Sequence, residues 1–204
     1  MEKRCVIISG GEFSPLNDIK PEDFIVACDL GCRHAERLGL KIDIAMGDFD
    51  SYSGEISAPE IYRCKPEKDD TDTMMAVRKA LELGYKRISL RCALGGRLDH
   101  LIANLQTVAF AAEHGAVLDI ADERNSVTGL LPGKNLISRR DGFYLSFFAL
   151  NGPAEDVCIT GAKYPLENYR LTGSFPIGVS NEFEAEQVEV SFRNGIIVAV
   201  LSKK

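Results

Sequence analysis

The sequence predicts an α/β protein: a Rossmann-like three-layer α/β/α domain with a mostly parallel sheet, followed by an all-β sandwich domain. Three observations carry this expectation. Short apolar runs alternate with helical segments up to about residue 125, the pattern of parallel strands joined by helices. Beyond that point no convincing helical periodicity appears, and alternation such as Val188, Val190, Phe192 takes over, as in half-buried antiparallel strands. Charge changes at the same place. Residues 131–204 carry eight Lys/Arg and eight Asp/Glu, whereas residues 1–130 carry sixteen and twenty-two and hold the whole net charge of −6. The expected division is residues 1–128 and 129–204.

Each element follows from local pattern. Cys5 to Ile8 is a continuous apolar run ending in Ser9-Gly10-Gly11, as expected of a central strand running into a loop. Phe24 to Cys28 is a second buried run, ending in Asp29-Leu30-Gly31, and Arg33 to Leu38 reads as a short helix stopped by Gly39. Ile42 to Met46 is a third strand, delivering Gly47-Asp48-Phe49-Asp50-Ser51, and Ile61 to Cys64 a short fourth. Asp70 or Thr71 then caps a helix with Met74, Val77 and Leu81 on its apolar face. Arg87 to Ala93 is a fifth strand. Gly95-Gly96-Arg97-Leu98-Asp99-His100 leads from it into a helix with Leu101, Leu105, Val108 and Ala112 at helical spacing. Val117 to Ala121 is a sixth strand. In the second part Phe143 to Leu150, Val157 to Gly161, Val188 to Phe192 and Ile196 to Leu201 read as strands. Asn194-Gly195 reads as a two-residue hairpin turn.

Composition excludes several classes. No apolar run approaches the ~18 residues of a membrane span, and the first is too short for a secretory signal. Six cysteines with no C-x-x-C pair suggest reduced thiols in a cytoplasmic protein. A pI near 5.2 without a basic stripe argues against nucleic acid as a partner.

Residues 43–72 hold nine carboxylates against three cations. Crowded carboxylates repel, and a hard divalent cation with oxygen ligands is the natural relief. Asp48 and Asp50 lie two apart at a strand end. Asp69 and Asp72 lie three apart at a helix start, where Asp70 can serve the cap. Lys68 beside them suits a site holding both a cation and phosphate oxygens. Arg97 offers a planar fork for phosphate, and the glycines before it permit close approach at a helix start that attracts anions. Four such clusters, at Ser9-Gly10-Gly11, Asp29, Asp48/Asp50 and Gly95-Gly96-Arg97, fall at expected strand ends, where parallel sheets bind ligands. Mg²⁺ carboxylates, a Lys, an Arg and glycine turns are the parts of phosphoryl-group transfer. No Walker-type or protein-kinase motif is present. The residues alone lead to a Mg²⁺-dependent enzyme acting on a nucleotide or phosphate substrate.

Gly-Asp-Phe-Asp-Ser (47–51), Lys-Asp-Asp-Thr-Asp (68–72), Gly-Gly-Arg-Leu-Asp-His (95–100) with Asn104 beyond it, and Val-Ser-Asn-Glu-Phe (179–183) occur in that order. Together they resemble the signature blocks of the thiamine pyrophosphokinase family, across nearly the whole chain. The resemblance implies transfer of the pyrophosphoryl group of ATP to thiamine, giving thiamine diphosphate and AMP. It implies a homodimer with the site at the interface. It implies Mg²⁺ on Asp48, Asp50 and Asp72, with Lys68 and Arg97 near the phosphates and Asp99 and His100 near the substrates. Asp29 and Asn104 would serve nucleotide binding, and Ser180 and Asn181 would contact thiamine. Catalytic roles would fall to Asp72, Lys68 and Asp99, with Asp72 or Asp99 as general base. Two departures stand out. Leu30 occupies a position where family members often have glycine, and no Trp is available to stack on thiamine, leaving Phe183 as a substitute. Two other readings compete: a metal-dependent phosphohydrolase using Asp48 or Asp50 as nucleophile, and a nucleotide- or thiamine-sensing module without turnover.

Overall fold

Cys5, Val6, Ile7 and Ile8 have no exposed surface, so β1 (Arg4–Ile8) lies inside a sheet covered on both faces. In the computed structural model, which describes residues 3–15, 17–50, 52, 54–65 and 70–204, β1 has a parallel neighbour on each side. These are β2 (Phe24–Cys28) and a strand that follows much later in sequence. After β2 come helix α1 (Gly31–Arg37), β3 (Ile44–Gly47), β4 (Glu60–Arg63) and helix α2 (Asp72–Glu82). Then come β5 (Arg87–Arg91), helix α3 (Leu98–Glu113) and β6 (Val117–Ala121). Pairing is parallel throughout, in the order β4-β3-β2-β1-β5-β6. The chain therefore builds outward from β1 to β4, then returns to the other side of β1 with β5. Helix α1 packs on β1 and β2, α2 on β1 to β3, and α3 on α2 and β6. These elements form one compact unit, Met1–Glu123, and Arg124–Lys204 forms a second.

The second unit is wholly strand-built: β7 (Asn125–Leu130), β8 (Gly133–Ser138), β9 (Phe143–Thr160), β10 (Leu166–Leu171), β11 (Gln187–Phe192) and β12 (Asn194–Lys203). All pairing among these is antiparallel. The 18-residue β9 is shared. Its first half pairs with β12, which also pairs β7; its second half pairs with β10 and β11, and β11 also pairs β8. The division falls where Asn151 (φ 57°) and Gly152 (φ 131°) precede Pro153. Leu145, Phe147, Ile159, Leu171 and Ile197, each at most 1% exposed, make the core.

The expected fold class is corrected here. The protein is β-rich, with 43% of residues in strands and 17% in helices, and it is not a helix-rich Rossmann-like three-layer α/β/α domain followed by a separate sandwich. Helices number three among the described residues, and twelve strands pair in a mixed pattern. The alternation that suggested a helix-rich class lapses early: no helix is described between β3 and β4, nor after α3. In the second unit two independent sheets are not formed, because β9 belongs to both arrays.

The hairpin expected at Asn194-Gly195 is also absent. β11 and β12 do not pair; the chain passes there from one array to the other. Gly195 (φ 95°) backs onto β9, and a Cβ there would stand 2.6 Å from the Pro153 carbonyl oxygen. Close approach to β9, not a tight turn, is what the glycine permits.

Candidate active site

The order of the parallel sheet reverses at β1, so the loops after β1 and β5 part and leave a crevice beyond the strand ends. A cavity of about 570 Å³ occupies that place. Its walls come from the Ser9-Gly10-Gly11 loop, the end of β2, and the starts of α2 and α3. Three of the four clusters expected at strand ends contribute directly: Ser9-Gly10-Gly11, Asp29 and Gly95-Gly96-Arg97.

The acidic wall is built on backbone geometry. Asp29 closes β2 in a left-handed conformation (φ 46°), and its N–H donates to the Met46 carbonyl at 3.0 Å. Its carboxylate turns onto the end of β3 and accepts the Phe49 N–H at 3.0 Å. Gly47 makes room: it has φ 148°, and a Cβ there would lie 1.8 Å from Asp29 Oδ1. Phe49, at φ 59°, buries its ring in the core while Asp48 and Asp50 flank it. Asp50 N–H donates to Asp48 Oδ1 at 3.1 Å, which closes the turn. Thr71 is the cap of α2, accepting the Met74 N–H at 3.1 Å, while Asp70 pairs with Arg78. Freed from capping, Asp72 lines the cavity and hydrogen-bonds Asp29. Burial pushes the Asp29 carboxyl up to about 7, and the Asp72 hydrogen bond and the charges of Asp72 and Asp48 add to that rise. The Phe49 N–H opposes it. The structure thus brings Asp29, Asp48 and Asp72 together, with Asp50 exposed at the outer edge of the same turn.

The opposite rim is the turn before α3. Gly95 (φ 81°) and Gly96 (φ 65°) are consecutive left-handed residues. Arg97 and His100 both line the cavity. Asp99 does not: its carboxylate is engaged by Arg97 Nε at 3.1 Å and Nη2 at 2.5 Å, and it accepts the His100 N–H. These bonds hold the Asp99 carboxyl below the usual carboxylate range. Asn104 is buried, and its Nδ2 donates to the Ala93 carbonyl at 2.8 Å, tying α3 to the loop after β5. One residue on this wall escaped the sequence reading. Glu12 Oε1 accepts the Gly96 N–H at 3.1 Å. Nothing in its spacing marks it; only its place directly after Ser9-Gly10-Gly11 could have drawn attention. Leu30 stands beside Gly10, its Cβ 3.2 Å from where a Gly10 Cβ would sit, and both line the cavity.

Lys68 lies outside the described residues, as do Ser51 and Asp69. In the second unit Asn181 is buried and its amide makes three hydrogen bonds. Oδ1 accepts the N–H groups of Tyr164 and Glu182, and Nδ2 donates to the Tyr164 carbonyl. Ser180 is exposed at φ 58°, with its N–H donating to Ser146 Oγ. Phe183 packs against the core of the unit.

Among the described residues no group of three or more His, Cys, Asp and Glu is spaced ready to chelate an ion. The donor chemistry nevertheless fits a hard cation: every candidate is a carboxylate oxygen, and a cation beside Asp29 and Asp72 would return the raised carboxyl to its charged form.

Carboxylates on one wall, with glycine turns and an arginine on the other, define a phosphate-handling enzyme. Residues 17–118 match the family model for the thiamin pyrophosphokinase catalytic domain, and residues 134–197 that for the thiamin pyrophosphokinase vitamin B1 binding domain. Thiamine pyrophosphokinase from Bacillus subtilis is 30% identical over 165 residues, 78% of this chain and 77% of that protein. A crystal structure of the Bacillus subtilis protein superposes with a TM-score of 0.90 at 27% identity, covering 99% of this chain and 100% of the other. A family member from Enterococcus faecalis superposes with a TM-score of 0.85 at 32% identity, covering both chains in full. The chain belongs to the thiamine pyrophosphokinase family, whose members are ATP-dependent diphosphotransferases.

Proposed function

We propose that this chain transfers the pyrophosphoryl group of ATP to the hydroxyl of thiamine, giving thiamine diphosphate and AMP, with the nucleotide in the cavity beyond β1 and β5. The observation that carries the placement is the Asp29–Asp72 pair with Asp48 beside it, facing a rim of Gly95, Gly96 and Arg97. Asp48, Asp50 and Asp72 would hold Mg²⁺, with Asp29 against Asp72. Bound there, the ion would supply positive charge against the triphosphate and the developing transition state. Arg97 is exposed enough to swing from Asp99 to a phosphate, since both side chains are more than 60% exposed. His100 borders the substrate side of the same rim. Of the two carboxylates considered as general base, Asp72 is favoured. It lines the cavity, whereas Asp99 lies outside the cavity wall. Lys68 is assigned to the phosphates, and Ser180 and Asn181 to thiamine. For Asn181 that role falls to the loop it braces, because its amide is already bonded. The working enzyme is read as a magnesium-dependent cytoplasmic homodimer.

One assay tests the reading. Incubation with ATP, Mg²⁺ and thiamine should yield AMP only when thiamine is present. Release of ADP or free phosphate would indicate a kinase of another type or a phosphohydrolase, and binding without AMP a sensing module. Sedimentation of the purified chain should give twice the monomer mass; a monomer with full turnover would remove the dimer from the reading.

A further inference from the structure

Glu12 is a carboxylate on the wall where a triphosphate is expected, and electrostatics alone would disfavour it there. Its geometry gives it a different task. Oε1 accepts the Gly96 N–H at 3.1 Å, and the carboxylate lies against the bare Cα of Gly95, where a Cβ would come within 2.5 Å of Oε2. One side chain therefore grips both left-handed glycines of the turn that carries Arg97 and opens α3. Such a turn has no side chain of its own with which to hold its shape.

The residues on either side of Glu12 are themselves fixed. Gly11 N–H donates to the Cys92 carbonyl at 2.9 Å, and the Gly11 carbonyl accepts from His34 Nε2 at 2.8 Å. The ring of Phe13 lies under the Arg37 guanidinium, 3.8 Å from centroid to Cζ. The clasp is thus preorganised from its own side. We propose that Glu12 is a positioning residue that sets the Gly95-Gly96 turn, and through it Arg97, for the phosphates of ATP. This rests on the nucleotide reading of the cavity. It predicts that what matters is the acceptor oxygen at Gly96, not the negative charge.

The test compares the full-length protein with Glu12→Ala and Glu12→Gln. Steady-state kinetics are measured with ATP and thiamine varied separately, together with the thermal shift caused by ATP and Mg²⁺. Glu12→Ala should raise KM for ATP about tenfold, because the turn and Arg97 are no longer held in place for the phosphates. KM for thiamine and the unliganded melting temperature should stay close to wild type. Glu12→Gln keeps an acceptor at the same reach and should restore KM for ATP to wild type or below. Wild-type kinetics in Glu12→Ala, equal damage in both variants, or an equal rise in KM for thiamine would each overturn the proposal. Failure of the underlying nucleotide reading looks different: ATP would then leave the melting temperature of the wild-type protein unmoved.

Discussion

Asp72 concentrates several demands in one side chain. It stands at the first position of α2, faces the cavity and shares a hydrogen bond with Asp29. Asp72→Asn keeps size and hydrogen bonding but removes the charge. It should lower turnover with Mg²⁺ by about 100-fold or more, with a melting temperature near wild type because the crowded carboxylates lose one repulsion. Near-normal turnover in this variant would remove Asp72 from the site. Gly47 acts on the same group from the other side. At φ 148°, with Asp29 Oδ1 1.8 Å from any added Cβ, Gly47→Ala forces either the backbone or Asp29 to move. About 1–3 kcal/mol of stability should be lost to that strain, measured by urea unfolding, and turnover should fall with it. An alanine variant with unchanged stability and turnover would show that the seat of Asp29 tolerates displacement. Asp48 and Asp50 were legible because two carboxylates stand in one short motif. The Asp29–Asp72 bond was not, since it joins residues 43 apart and depends on two positive-φ residues, Asp29 and Gly47, that no local pattern announces.

Elements divide in the same way. β1, β2 and β5 were readable because each is a short run bounded by glycine or charge and buried on both faces, and β6 because Leu118 and Ile120 alternate with less buried neighbours. Helix α2 was readable from its apolar spacing, and its cap was narrowed to Asp70 or Thr71; the structure selects Thr71. Thr71→Ala should cost about 1 kcal/mol and, because α2 begins at Asp72, should reduce turnover more than a surface change of equal cost. A stability loss with no loss of turnover would separate the cap from the site. β9 was the hardest element to read. Two strands were expected, Phe143 to Leu150 and Val157 to Gly161, and one bent strand is found. Sequence shows the polar interruption at Asn151-Gly152-Pro153 but not that both halves keep pairing through it. The Asn194-Gly195 turn misled for a related reason: a local turn signal says nothing about which array the next strand joins. Phe147, in the half of β9 that pairs with β12, is 1% exposed. Phe147→Ala should destabilise by about 3–5 kcal/mol in denaturant unfolding, and a loss below 1 kcal/mol would mean that the core closes over the gap.

At the scale of the molecule, the first unit is laced by a polar network under its sheet that no motif foretold. Arg4 bonds Asp23 through Nε at 3.0 Å and through Nη2, and Asp18 through Nη1 at 3.1 Å. Arg91, only 3% exposed, reaches Asp18 at 2.7 Å and Asp119 at 2.6 Å, and Asp119 accepts from Ser89. The network fastens the loop between β1 and β2, the one that carries Glu12, to β1, β5 and β6. Burial alone would raise the carboxyls of Asp18 and Asp23. Hydrogen bonds from Arg91 and Arg4 overcome it, and both carboxyls sit below the usual carboxylate range. A group with a lowered pKa in the folded state stabilises fully above its unfolded value, near 4. That contribution is lost as pH falls through the folded value. Asp23 is 9% exposed and also accepts the Lys20 N–H at 2.7 Å, so Asp23→Asn removes the more buried of the two carboxylates that pair with Arg4 and leaves it only the exposed Asp18. At pH 7 the variant should be less stable than wild type by about 3 kcal/mol. Below about pH 4 Asp23 takes up a proton in the unfolded wild-type chain before it does so in the folded one, so the gap should narrow as pH falls until the folded carboxyl is protonated too. Urea unfolding of both proteins across that range measures it. A gap that stays constant from pH 7 to pH 2 would mean that shape and neutral hydrogen bonds hold this loop, and that the ion pair contributes nothing to it.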